Sequence, residues 1–274
     1  MNKKLTRLGS FGAITSGGNF QATIPLKGAV TNIHLVSMNS SGVPVALVDG
    51  TIASVGVSAG DAGDVVSPLA PADLVMTCLH KFAGRGFAAI GGLTPVYVAP
   101  PNPSEAERMF YMIGTHGLTG LTVDIETGDL TNGDNETITQ IEVWGERLTG
   151  GDFDKMGLGR HVRLSKETIP TSGTGEKAFD NFPYVNKTGA RLMCLYVKNA
   201  GGQGVVTKAK VEVNEMPEHL APMVSHEFAQ RMAGRTPQAN VYAVDFSLQN
   251  NANAGLPLQG VSRLNLTAYW SEDP

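Results

Sequence analysis

The sequence predicts an all-β chain folded as two tandem antiparallel domains with short inserted helices. Three observations carry that expectation. Short segments alternate apolar and polar residues with the period of two that marks a half-buried strand. The 33 glycines and 15 prolines fall between apolar runs, as turns of a many-stranded protein require. Finally, one order of elements (strands, a helix inserted in a connection, then two long strands) occurs twice along 274 residues.

In the first half the expected strands are Gly18–Ile24, Val30–Ser37, Val43–Val48, Thr94–Val98, Gly120–Glu126 and Thr137–Trp144. The alternation is cleanest in Leu121-Thr122-Val123-Asp124-Ile125-Glu126. Between the third and fourth strands, Leu74, Val75, Cys78, Leu79 and Phe82 recur at helical spacing and predict a helix over Ala70–Ala83. Ser104-Glu105-Ala106-Glu107 has the form of a capping box and predicts another short helix before Met109.

The second half repeats the plan. Expected strands are His161–Glu167, Arg191–Lys198, Val205–Val213, Val241–Gln249 and Gly260–Trp270. In Val241–Gln249 the residues Tyr242, Val244, Phe246 and Leu248 share one face, with Asp245, Ser247 and Gln249 opposite. Leu192–Val197 is apolar on both faces, which suits a strand covered on both sides. A helix is expected over Met216–Ala233, its apolar stripe formed by Leu220, Met223, Val224, Phe228 and Met232. Pro217 and Pro222 are tolerable only near its start. Each half closes on a strand with a late Trp, Trp144 and Trp270. The division expected from this pattern is 1–147 for an N-terminal arm and first domain and 148–274 for the second, with 145–160 as the crossover.

Composition narrows the function. Hydrophobic residues make up 42% of the chain, enough for proper cores, whereas charged residues are only 17% against ~25% in ordinary soluble proteins. A chain so poor in charge either aggregates or covers much of its surface with partners. Residues 1–147 carry 8 Lys and Arg against 13 Asp and Glu, a net −5, and residues 148–274 carry 13 against 12. Neither half has the clustered cations that direct nucleic-acid binding draws on. Cys78 and Cys194 are too few for a disulfide scaffold and are expected to be small core residues. Lys3 and Lys4 are followed by no apolar run, so no signal peptide is read, and synthesis in a reducing host cytoplasm is expected.

Several stretches together resemble a known family. They are Gly18-Asn19-Phe20-Gln21-Ala22-Thr23-Ile24-Pro25 after a short arm, Gly117-Leu118-Thr119 entering Leu121–Glu126, Arg191–Asn199 with Ala200-Gly201-Gly202, Val205–Val213, the long inserted helix, and Tyr242-Ala243-Val244-Asp245-Phe246. Their order is similar to that of the double jelly-roll major capsid proteins of icosahedral bacteriophages with an internal membrane, the corticovirus type above all. The resemblance spans nearly the whole chain and rests on order and duplication, since the family has no short invariant signature. It implies two tandem eight-stranded antiparallel jelly rolls and a structural role in the virion capsid. It further implies a homotrimer forming a pseudo-hexagonal tile, neighbouring trimers, vertex (penton) and minor membrane proteins as partners, and a viral membrane beneath.

Catalytic motifs fail one by one. His226-Glu227-Phe228-Ala229-Gln230 opens like a zinc-protease motif, but Gln230 stands where the second imidazole is required. Gly173-Thr174-Gly175-Glu176-Lys177 lacks the end of a phosphate-binding loop, and the six histidines include no His-x-His pair. No Gly-x-Ser-x-Gly elbow is present. No enzyme activity and no obligatory cofactor are expected. Two features invite a site. Asp124, Glu126, Asp129, Asp134 and Glu136 lie in an oxygen-rich, glycine-broken stretch that is read either as a calcium site or as a solvated hairpin loop. Lys3, Lys4 and Arg7 are read either as a basic arm on anionic lipid headgroups or as an ordinary terminus. The rival from another class is a two-domain carbohydrate-binding β-sandwich, which 7% aromatic residues and two Trp support poorly.

Overall fold

The computed structural model describes residues 2–46, 51–85, 88–96, 112–131, 136–158, 162–168, 175–198, 206–248 and 255–270. The chain divides into two compact units: Met1–Leu79 with Phe87–Glu167, and His80–Gly86 with Thr168–Pro274.

The first unit holds two facing sheets. Its strands are β1 (Asn2–Ser10), β2 (Asn19–Thr23), β3 (Ala29–Met38), β4 (Ile52–Ser58), β5 (Asp64–Leu69), β6 (Leu93–Pro95), β7 (Ile113–Gly114), β8 (Thr122–Thr127) and β9 (Gln140–Thr149). One sheet runs β1-β9-β3-β6, with β7 also pairing β3, and the other runs β2-β8-β4-β5. Every pairing between named strands is antiparallel. With β6 and β7 successive partners of β3, this is the eight-strand order of a jelly roll. The predicted alternation fills its core: Ile33 and Leu35 from β3 and Ile141 and Val143 from β9 meet Val55, Val57, Val66, Val123 and Ile125 from the second sheet.

Five sequence expectations change here. The arm is strand β1, paired with β9 from Asn2↔Thr149 to Ser10↔Glu142. Strands β4 and β5 occupy a stretch expected to be loop, because Val55, Val57, Val65 and Val66 bury their side chains amid Ser, Gly and Asp. Of Val43–Val48 only a single bridge, Met38 to Pro44, lies among the described residues. The boundary moves from 147/148 to 167/168, since β9 continues through Thr149 and Leu148 is fully buried. Leu164, expected in the first strand of the second domain, instead bridges Val66 inside the first unit, its N–H donating to Val65 O at 3.1 Å. The helix expected after Ser104 lies outside the described residues. One glycine is demanded by geometry. Gly28 enters β3 at φ +75°, and a Cβ there would lie 2.1 Å from Leu148 O, inside the β3–β9 contact.

The second unit has β10 (Gly175–Phe179), β11 (Arg191–Leu192), β12 (Cys194–Lys198), β13 (Val206–Val213), β14 (Met216–Pro222), β15 (Val241–Asp245), β16 (Leu256–Pro257) and β17 (Leu264–Trp270). A four-stranded sheet runs β10-β17-β13-β14, and β12-β15 and β11-β16 form two-stranded pairs. Val206, Ala209, Val211, Leu264, Leu266 and Ala268 pack with Tyr242 and Val244 as its core. The helix expected over Met216–Ala233 starts late. Met216–Pro222 is strand β14, at a sheet edge where Pro217 and Pro222 remove no obligatory ladder bond, and helix α2 is Met223–Met232. Helix α1 (Pro71–Phe82) agrees with its expected span, and its residues from His80 onward belong to the second unit.

Candidate functional site: a buried polar cluster in the second unit

Strand β15 carries one acidic residue, Asp245, in an otherwise apolar strand that is buried throughout. The sequence reading placed Asp245 and Ser247 opposite the apolar face of their strand. The structure buries both, at 4% and 1% exposure. A carboxylate so placed must find counter-charge and hydrogen bonds, because its desolvation costs several kcal/mol.

Asp245 finds both. Lys81 Nζ donates to its Oδ2 at 2.7 Å and to Ser247 Oγ at 2.9 Å, and Arg235 Nε donates to the same Oδ2 at 3.0 Å. Oδ1 accepts from Ser247 N–H at 2.8 Å and from the Ser247 hydroxyl. Arg235 Nη2 donates to Ser247 O at 2.9 Å. Burial alone would raise the carboxyl, but the charge and hydrogen bond of Lys81, then Ser247 and Arg235, outweigh it and hold Asp245 well below the usual carboxylate range.

A ring of neutral groups surrounds these charges. Gln230 Nε2 donates to Ala243 O at 2.8 Å, which turns its Oε1 toward His80 Nε2, also at 2.8 Å. His80 therefore donates from Nε2, and its Nδ1 accepts from the Tyr196 hydroxyl at 3.1 Å. Burial, helped by the charge of Lys81, lowers His80 to about 4. His226 Nε2 accepts Asp245 N–H at 3.3 Å, and its ring stacks on Tyr242. His219 meets His226 edge-on with ring centres 4.6 Å apart and is lowered to about 4 by burial and by that neighbour.

Donor atoms of His80, Cys194 and Asp245 lie within 4.8 Å of one another, the one such group of three among the described residues. Their chemistry does not suit a cation. Two cationic side chains already hold the carboxylate, both His80 nitrogens are hydrogen-bonded, and burial raises the Cys194 thiol to about 12, so it is no thiolate. The cluster is a structural lock. It also explains the failed zinc-protease spacing, since His226 and Gln230 both point inward to partners in the cluster.

The residues singled out in the sequence fall elsewhere. Asp124 and Glu126 lie on β8, where Asp124 accepts from Gln21 Nε2 at 2.8 Å and Glu126 from Ser54 Oγ at 3.4 Å. Asp129 caps Thr131 N–H at 3.0 Å, Glu136 is exposed, and Asp134 lies outside the described residues. The four described carboxylates form no close donor group, and a bridge between Thr131 and Thr137 closes the loop as a hairpin would. Arg7 pairs with Glu142 at 2.6 Å and Lys4 is exposed on the edge strand β1. Of the two cysteines, Cys78 is buried as expected and Cys194 is half-buried. The lock itself was missed, since hydrogen-bonded members lie up to 166 residues apart in sequence. The one local signal was an acid inside the apolar run Val241–Phe246.

With the fold and its lock described, likeness to known proteins is informative. Residues 162–273 match the family described as viral coat protein P2 C-terminal domain, over most of the second unit. Over that stretch the chain is similar to viral coat proteins. Its fold is that of the major capsid protein P2 from bacteriophage PM2, with a TM-score of 0.74 at 15% identity over 99% of this chain and 93% of that one. The major capsid protein of Sulfolobus Turreted Icosahedral Virus aligns with a TM-score of 0.54 at 11% identity, covering 100% and 94%. The PBCV-1 virus capsid aligns at 0.51 and 11%, covering 99% and 85%. No curated protein sequence matches significantly. These likenesses give the chain the double jelly-roll fold.

Two outcomes follow for the lock. Asp245→Asn leaves Lys81 and Arg235 buried without their counter-charge and should cost about 3–5 kcal/mol in urea unfolding. Adding Lys81→Met should restore part of that loss, and an unchanged midpoint for Asp245→Asn would contradict the assignment. The second outcome concerns pH. Because the folded His80 binds its proton less readily than the unfolded one, its contribution is complete above 6.5 and is withdrawn as pH falls toward about 4. That withdrawal amounts to roughly 3 kcal/mol. His219 adds to the same window, and the depressed Asp245 withdraws its share only at still lower pH. Unfolding free energy measured between pH 7 and 4 should therefore fall, and His80→Gln should flatten the slope; parallel slopes would rule out His80 as its source.

Proposed function

We propose that the chain is the major capsid protein of its virion and that three copies close into a six-barrel, pseudo-hexagonal tile. Such tiles pave an icosahedral shell over an internal membrane, with vertex and minor membrane proteins as further partners. The observation that carries this reading is the correspondence with the PM2 major capsid protein over 99% of the chain, both units included. Composition supports it, because 17% charged residues suit a molecule covered by neighbours. The jelly roll also suits tiling physically. Its strands are largely paired within each unit, so copies meet through side-chain surfaces and not through open-ended strand addition. A heterologous contact repeated about an axis closes after three copies and leaves no growing end. Exposed Lys4, on the edge strand β1, belongs on this reading to a basic rim facing anionic headgroups.

Light scattering after size exclusion tests the tile. A species of three times 28.9 kDa is expected, and a strict monomer at micromolar concentration would reject the preformed trimer. Particles that carry the chain should also yield phospholipid on extraction; lipid-free particles would remove the membrane from the reading.

A further inference from the structure

Helix α2 is amphipathic in the opposite sense to a core helix. Val224, Phe228 and Met232, spaced four apart and so stacked on one face, are 79%, 66% and 75% exposed. The buried face carries His226 and Gln230, at 7% and 2% exposure, both satisfied by the polar cluster. Of the stripe that reads as core, Met223 packs against the core of the unit, whereas Val224, Phe228 and Met232 are surface and the polar positions His226 and Gln230 are buried. Leu220, just before the helix on the edge strand β14, is a further exposed apolar residue at 54%.

We infer that the Val224–Phe228–Met232 stripe is the seat of a second copy of this chain, which covers it with its first unit. The inference rests on the trimeric reading above and adds the surface and the orientation. Size is the first support. The stripe exposes roughly 400 Å² of apolar side chain, within the range of the largest patch on a monomer and about half of the ~800 Å² that each partner buries in a standard interface. It is thus large enough to form the dry centre of such a contact, with Ser225, Glu227 and Arg231 at its margin. Charge is the second support. The first unit carries 10 Lys and Arg against 16 Asp and Glu, a net −6, and the second carries 11 against 9, a net +2. Like units repel, whereas a second unit set against the first unit of the next copy gains complementary fields. That head-to-tail choice is also the one that closes a ring. The match to the viral coat protein P2 C-terminal domain covers residues 162–273 and so includes the whole helix, which on the trimeric reading belongs to a chain that contacts its own copies.

Phe228→Glu in the full chain is the test, read by light scattering, thermal unfolding and vesicle flotation. Because Phe228 is outside the core, the variant should keep a cooperative unfolding transition, lowered by no more than the lost association accounts for, but elute at one-third of the wild-type mass; Phe228→Ser should weaken association in the same direction. A photo-crosslinking residue at position 228, in mixed isotope-labelled protein, should join residues 1–79 or 87–167 of another copy. A wild-type protein that is itself monomeric overturns the trimeric reading and this inference with it. A wild-type trimer with a Phe228→Glu trimer overturns the inference alone, as do crosslinks to the second unit of the other copy. If the variant keeps its mass but loses binding to anionic vesicles, the stripe covers lipid and the inference is also overturned.

Discussion

The second unit depends on the neutralisation of one carboxylate. Asp245 sits in a strand with no exposed position, where an unpaired charge would be untenable, and everything near it is arranged to make its burial affordable. Lys81 comes from the end of α1, Arg235 from just beyond α2, and Ser247 from the residues after β15. The interactions fix three separate segments in one place. A hydrophobic contact would tolerate sliding by an ångström, whereas hydrogen bonds of 2.7–3.0 Å to a single oxygen do not.

That constraint reaches the surface through α2. Gln230 can satisfy His80 and Ala243 only if its side of the helix faces inward, and His226, one turn earlier, then faces Asp245. A ten-residue helix has no freedom to bury both sides, so Val224, Phe228 and Met232 are turned outward. Among the described residues of the first unit the arrangement is different. Its two sheets enclose a continuous apolar core, and its ion pairs, such as Arg7–Glu142 and Lys166–Asp73, each keep one partner in solvent. The buried polar cluster of the second unit and the outward apolar stripe of α2 are two sides of one arrangement.

The sequence made the jelly-roll plan visible wherever a strand is half-buried. Thr122–Thr127 alternates in both residue type and burial, and the predicted span agrees to within two residues at either end. It failed where burial and polarity part company. Strand β1 begins with Asn2, Lys3 and Lys4 and reads as an arm because its partner, β9, lies some 140 residues away. Strands β4 and β5 hide four valines among small polar residues. Periodicity found the stripe of α2 but could not orient it, because an apolar face turned outward and one turned to a core have the same spacing. The Asp245 cluster was illegible for a different reason: its charges are distant in sequence, and only the fold brings Lys81, Arg235 and Asp245 together. Asp124, Glu126 and Asp129 show the converse, since these residues, close in sequence, are spread along β8 and the turn after it.

The orientation of α2 is the claim on which these strands of reasoning meet, and methionine oxidation reads it without a substitution. Met232 lies on the outward stripe at 75% exposure, and Met112 lies in a core at 3%. Dilute peroxide followed by peptide mass spectrometry should oxidise Met232 quickly at concentrations where the chain is dissociated and slowly once it assembles, with Met112 protected in both states. If Met232 were already protected in the dissociated chain, the helix would face the other way and the account would be contradicted.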